Sequence, residues 1–373
     1  MRRASPSPTA NCGRSDMRHA WIVLTAAVLA ACVAPLSGTP VVVGGDACQD
    51  PAALVDWTRA AAALAAGDDA EAIAAARAVI ARCPGFVRAH IAFQDAAARR
   101  GGETKAAMAG YYERLADDGS PVPAYCKARL LPTAYGQSVA LADLVAKHPT
   151  FAWARLSQAR LARGQGRALA AIDAYSAALR VDPTLWEACL ERAESLAELG
   201  RGSEAAVDFR AYLAARPDDL AANRAFVRLL IYDLGRASEA VPYLERVEAR
   251  LPLDPAVAMD RAAAWWRLGQ NQKSAEAYLA ALRARPQETG AALNLGLLYY
   301  EVIPRDESAR RRFWPAARAA FRYFLDGPST ADGVEQYERT LGVPFRMARI
   351  AELIGPEPPV PVRLEELRWP GSP

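Results

Sequence analysis

Histidine is nearly missing: the chain of 373 residues holds three. His19 falls in an apolar N-terminal segment, which leaves His90 and His148 in separate stretches. No histidine pair has metal-ligand spacing and no H-E-x-x-H occurs. There is no G-x-S-x-G nucleophile turn and no phosphate-binding glycine loop. Gly101-Gly102-Glu103-Thr104-Lys105 puts a lysine after glycines, but without the loop's spacing or a preceding strand. A lone histidine on a helix reads as structural or surface. Asp and Glu are numerous but scattered, as on solvated helix faces. The expectation is a non-enzyme that uses no cofactor and no metal.

Charge excess is missing too. The formal net charge is +3, from 45 basic and 42 acidic residues. Residues 1–31 hold Arg2, Arg3, Arg14 and Arg18 against Asp16, which is also +3. The rest of the chain is near neutral, so the basic balance gives no reason to expect nucleic acid. Sustained Val/Ile/Thr alternation is absent, which argues against strands. What is there is alanine, the best helix former, within a hydrophobic content of 52%. The fold class expected is all-α.

A phrase recurs. Gly166 opens a stretch through Ala171 and Tyr175 to Pro183; Gly200 leads through Ala205 to Pro217; Gly235 through Ala240 to Pro252; Gly269 through Ala275 to Pro286. The four glycines are 34, 35 and 34 residues apart, and Pro149 joins the same beat. A fixed period of this length means stacked helical hairpins. The unit, with Gly at the inter-helix turn, a small residue five positions on and Pro near the end, resembles the tetratricopeptide repeat. The resemblance implies a right-handed α-solenoid of about seven to eight hairpins over residues 51–301. An extended last hairpin and capping helices would fill 302–355, including short helices near 334–341 and 344–353. In the Pro-rich tail 356–373, the run 355–361 reads as exposed and polyproline-like, and Trp369 at the tail's end makes it a candidate ligand for the chain's own groove.

The N-terminus reads as an address. Trp21–Ala31 is an apolar run of 11 residues, too short to cross a bilayer and suited to a signal core. It ends in Leu29-Ala30-Ala31-Cys32, which resembles the bacterial lipobox. That resemblance implies cleavage before Cys32 and a diacylglyceryl, N-acyl anchor on it; a plain secretory signal with a coincidental cysteine is the other reading. Residues 1–31 are then the signal region, with 1–16 a mis-called start before Met17, and 32–50 the anchor and tether. Val33 after Cys32 implies the outer membrane of a diderm cell. Export permits disulfides. Cys48 precedes the first helix and Cys83 closes the second, so a bridge between them would staple the terminal hairpin; two buried or free thiols are the alternative.

Number each repeat so that the turn glycine is position 15. Position 12 then gives Tyr232, Trp266 and Tyr300; position 5 gives Ala225, Met259 and Leu293; position 9 gives Leu229, Ala263 and Leu297. In the resembled family these positions face the concave groove. The resemblance therefore implies a Tyr-Trp-Tyr ladder beside an apolar floor, with Trp57 and Trp153 at positions 5 and 2 of repeats one and four. Such a groove suits an amphipathic helix or an extended apolar peptide of an envelope protein. The alternative is that these rings pack on neighbouring repeats or on the C-terminal segment. Position 13 gives Asp233, Arg267 and Glu301, whose alternating sign fits neighbouring salt bridges rather than a clamp for one carboxylate. Arg310-Arg311-Arg312 reads as a solvated helix face. The function expected is an envelope lipoprotein scaffold, in assembly of an outer-membrane machine. A non-catalytic regulatory subunit of a peptidoglycan or polysaccharide enzyme complex is the second reading.

Overall fold

The computed structural model describes residues 48–101, 105–114, 119–287, 289–302, 305–327, 342–356 and 362–370. The signal region, Cys32, the start of the tether, the helix expected near 334–341 and nearly all of the Pro-rich run lie outside them. The chain divides into two compact units, 1–212 and 213–373. No helix among the described residues is long and apolar enough to cross a membrane.

In the N-terminal unit, helices pair in sequence: α1 (Pro51–Ala66) with α2 (Asp69–Arg82), α3 (Val87–Arg100) with α4 (Lys105–Glu113), and α5 (Pro121–Leu130) with α6 (Ala134–Lys147). Then come α7 (Ala152–Gly164) with α8 (Ala168–Val181), and α9 (Trp186–Glu198), followed by α10 (Gly202–Ala215) at the unit boundary. The C-terminal unit holds α11 (Leu220–Arg228), α12 (Ala237–Arg250), α13 (Pro255–Arg267), α14 (Asn271–Ala284), α15 (Gly290–Leu297), α16 (Glu307–Asp326) and α17 (Val343–Ile354). No strand occurs among the described residues. The fold is an all-α solenoid of tetratricopeptide-like hairpins.

Local chemistry explains the boundaries. Asp50, Asp219, Asp254 and Asp306 cap helix starts by accepting backbone N–H bonds. Gly166, Gly200, Gly235 and Gly269 all sit at φ between 65° and 73°, the left-handed turn between paired helices. Five residues after each glycine, Ala171, Ala205, Ala240 and Ser274 are fully buried; nine residues after, so are Tyr175, Phe209, Leu244 and Tyr278. The small residue lets two helices approach and the large one fills the layer beyond it.

The spacing of 35 between Gly200 and Gly235 has a structural counterpart. Pro183 to Gly200 and Pro252 to Gly269 are both 17 residues, but Pro217 to Gly235 is 18. The extra residue is taken up by a π turn at Leu229–Asp233, closed by Leu234 N–H to the Leu229 carbonyl at 3.0 Å. An i→i+5 turn holds one residue more than an α turn, so the helix keeps its length. A second π turn, Leu298–Val302, ends α15.

Close packing sets the C-terminal cap. A Cβ on Gly296 would lie 2.5 Å from the Phe321 ring, so only glycine lets α15 and α16 meet there. Leu367 is buried and Trp369 packs on Tyr299 and Phe313 with centroids 6.0 and 5.3 Å apart. The end of the tail thus packs on the chain itself, while the run 355–361 expected to be exposed lies almost wholly outside the described residues. The arginine run is not merely solvated either: Arg310 lies 5.7 Å over Trp314, Arg311 pairs with Glu307, and Arg312 donates to the Pro370 carbonyl at 3.0 Å.

His90 is a core residue. Its Nε2 lies 2.8 Å from the Pro84 carbonyl and its Nδ1 3.3 Å from the Tyr112 hydroxyl. Burial pushes its pKa below the ordinary histidine value, against the Pro84 contact. The neutral ring donates from Nε2 and accepts from Tyr112. The unfolded chain binds this proton near pH ~6.5, while the folded chain resists it. Stability from this site is present above that pH and is lost as pH falls toward the lower folded pKa. Urea midpoints should therefore drop between about pH 7 and pH 5, and His90→Gln should flatten that slope. An unchanged slope in the variant would place the titration elsewhere.

Candidate functional site

The C-terminal unit carries two depressions that meet at Tyr232 and Met259. The larger, about 390 Å³, is lined by Tyr232, Met259, Ala263, Trp266, Arg267 and Asn294 among others. The smaller, about 270 Å³, adds Arg224, Arg228, Asp260 and Arg285. Three first helices supply most of the lining, α11 with its π turn, α13 and α15, joined by Tyr278 of α14 and Arg285 just past its end. Tyr232 is 43% exposed, while Met259 and Trp266 are half-buried. The Tyr232 hydroxyl donates to Asp260 Oδ1 at 2.9 Å, which fixes the ring at the seam. Burial, then the Asp260 carboxylate, pushes the Tyr232 hydroxyl up, so it remains a donor. Burial also raises the Asp260 carboxyl, opposed by the Tyr232 bond and then by Arg228 and Arg224.

The π turn decides which residues reach this surface. Counted forward from the proline before the helix, α11 keeps the register of α13, because the extra residue falls after Arg228 in the π turn. Arg224 then corresponds to Met259 and Arg228 to Ala263. Counting back from Gly235 had placed Ala225 and Leu229 there. Leu229 is buried, and the two arginines line the depression instead. Sequence reasoning missed both arginines; the spacing of 35 was the signal that could have found them.

The expected ladder is thus only partly assembled. Tyr232, Met259 and Trp266 share one surface. Tyr300 does not join it: its ring stacks on Trp314 at 5.0 Å and 16°, and Arg346 covers it at 5.8 Å. Leu293 and Leu297 are buried in the cluster that holds Phe313, Phe321 and Ile350, so they form core rather than groove floor. Asn294 faces the depression in their place. Trp369 packs at the Tyr299–Phe313 end and not on this surface.

The position-13 salt-bridge row does not form. Arg346 takes Glu301, with Nε at 2.9 Å from the carboxylate. Arg267 makes no ion pair among the described residues, and Glu301 is held by the C-terminal cap.

In the N-terminal unit, Trp57 and Trp153 border a separate depression of about 340 Å³ with Leu64, Ile91 and Arg88. Trp57 meets Phe86 edge-on at 5.2 Å. Trp153 is buried, with Arg88 5.2 Å above its ring, so it serves as a wall rather than an exposed anchor. Arg88 is held by a two-pronged bond to Glu187 at 2.7 and 2.9 Å. Cys48 and Cys83, with Cα atoms 5.6 Å apart, are joined by a disulfide that ties the start of α1 to the end of α2. Cys126 and Cys189 are buried thiols.

Chemically, the C-terminal surface offers apolar contact, aromatic faces and guanidinium donors. No group of three or more His, Cys, Asp and Glu that could hold a metal occurs among the described residues.

The family model of the tetratricopeptide repeat matches residues 156–219, 231–289 and 266–301. No curated protein matches the chain. Among solved structures, the chain is similar to MamA residues 41-end from Desulfovibrio magneticus RS-1, at 21% identity and TM-score 0.41, over 47% of this chain and 93% of that one. It is also similar to YrrB, described as a TPR protein with an unusual peptide-binding site, at 16% identity and TM-score 0.44, over 54% and 99%. PilW, described as a widely conserved type IV pilus biogenesis factor, is similar at 16% identity and TM-score 0.36, over 65% and 97%. The described residues are all-α, and residues 156–219 and 231–301 match the tetratricopeptide repeat.

Proposed function

We propose that the protein is a non-catalytic interaction scaffold that holds a polypeptide segment on the Tyr232–Met259–Trp266 surface of its C-terminal unit. One observation carries this reading: two depressions share the seam of Tyr232 and Met259, and Tyr232, Met259 and Trp266 there are left exposed or half-buried by the repeat. Half-buried Trp and Tyr on a concave helical surface are the residue types that most often anchor partners. A photo-reactive residue at position 266 should crosslink one dominant protein in host membranes, and the same residue at exposed Arg250 should not. Trp266→Ala should weaken the captured interaction about tenfold or more with helical content unchanged. No adduct at 266, with the protein intact and in place, would move the function off this surface.

The address completes the proposal. The Leu29–Cys32 motif supports export with a lipid anchor on Cys32, outer-membrane sorting and service to an envelope machine. The Cys48–Cys83 disulfide supports an oxidising compartment, since such bonds are rare where thiols are kept reduced. Mass spectrometry of exported protein should find an acylated Cys32 and, without reductant, linked peptides containing Cys48 and Cys83. An unmodified Cys32 in a membrane-free protein would remove the anchor.

A further inference from the structure

The partner's chemistry can be narrowed by charge. In the N-terminal unit, the cations around the depression are each met by a carboxylate: Arg88 by Glu187, Arg99 by Asp69 and Arg160 by Glu191. That surface is internally neutralised. The C-terminal surface is not. Its lining holds Arg224, Arg228 and Arg267 against one carboxylate, Asp260. Asp260 already accepts the Tyr232 hydroxyl. Arg224 reaches Asp254 only at 3.7 Å. Arg228 and Arg267 form no ion pair among the described residues, and both are exposed.

Two cations are without an ion pair among the described residues: Arg228, which keeps the register of Ala263 because the extra residue falls after it in the π turn, and Arg267, whose neighbour Glu301 pairs with Arg346. They lie on either side of the Tyr232–Met259 seam, one lining the smaller depression and one the larger. Guanidinium groups present planar paired donors, which match carboxylates better than any other side-chain acceptor.

We infer that the segment held on this surface is acidic, with carboxylates flanking an apolar side chain: the apolar group rests on Met259 and Trp266, and the carboxylates meet Arg228 and Arg267. This rests on the scaffold reading and adds the sign of the partner's charge. A basic or uncharged segment would leave both guanidiniums without partners; a basic one would also face like charge across the interface.

The test uses the full exported chain as bait and a random-peptide phage library as the probe. Selected peptides should be enriched in Asp and Glu around an aromatic or aliphatic residue. Their affinity should fall steeply with added salt and drop about tenfold in Arg228→Ala and in Arg267→Ala. The double reversal Arg228→Glu with Arg267→Glu should shift selection to Lys and Arg. Because both residues are exposed, the variants should keep helical content and melting behaviour, which circular dichroism checks. Neutral or basic selected peptides, or acidic ones indifferent to both arginines, would overturn the inference. If such peptides still need Trp266, the scaffold reading stands while the charge inference falls. If they ignore Trp266→Ala, the surface itself is wrong. Selection of no peptide, with phosphatidylglycerol vesicles bound through the same arginines, would make the occupant a membrane and overturn both.

Discussion

Asp208→Ala should cost the N-terminal unit about 3–5 kcal/mol, the range for breaking one partner out of a buried ion pair. Arg192 and Asp208 bind each other twice, Nε to Oδ2 and Nη2 to Oδ1, both at 2.7 Å. Their side chains are 10% and 2% exposed. The remaining guanidinium nitrogen, Nη1, donates to Ser176 at 3.0 Å, so this pair ties α9 to both α8 and α10. Removing the carboxylate leaves a buried cation without its counter-charge. Desolvation, not the lost attraction, supplies most of the penalty. That makes a second variant informative. Arg192→Met combined with Asp208→Leu removes both charges and keeps apolar volume, and should recover most of the stability. The readout is amide hydrogen exchange in α8 to α10, because a chain of two units need not unfold in one step. A loss below about 1 kcal/mol in the single variant would mean that the pair is hydrated in solution.

How far the sequence could be read follows from which forces are local. The glycine–proline beat marks turns and stops, and these depend on neighbours a few residues away. Hairpins therefore come out in the right order, with Ala171, Ala205 and Ala240 in the core. The spacing of 35 was visible, but its meaning was not. An extra residue could have lengthened a loop, and only the backbone shows that it became a π turn after Arg228, so that Arg224 and Arg228 keep the register set by Pro217. Tyr300 was misplaced for a different reason. It shares the period of Tyr232 and Trp266, but its surroundings are set by α16 and α17, whose arrival on α15 no repeat pattern encodes. The same holds for Glu301, whose partner Arg346 lies 45 residues away. Periodicity locates a side chain on a helix face, and long-range packing decides whether that face is groove or core.

Trp314→Ala should destabilise the C-terminal cap by about 3–5 kcal/mol, as expected for truncating a buried Trp. The indole is 7% exposed and stacks on Tyr300 at 5.0 Å. Its Nε1–H donates to the Tyr300 carbonyl at 3.3 Å. That carbonyl belongs to the π turn Leu298–Val302, where helix bonding is irregular and a side-chain donor matters more. Arg310 covers Trp314 at 5.7 Å, so truncation also removes a cation–π contact. Hydrogen exchange should quicken in α15 and α16 and stay unchanged in the N-terminal unit. Trp314→Phe, which keeps a ring but loses the donor, should cost about 1 kcal/mol for the missing bond, plus any loss from poorer packing. The contrast with Trp266 separates the two roles a repeat aromatic can take. Trp266→Ala should alter binding and leave exchange nearly as it was, whereas Trp314→Ala and Tyr300→Ala should loosen the same segment together. Equal exchange in wild type and Trp314→Ala would show that the Tyr300–Trp314 stack does not hold in solution. Tyr300 would then return to the groove beside Trp266.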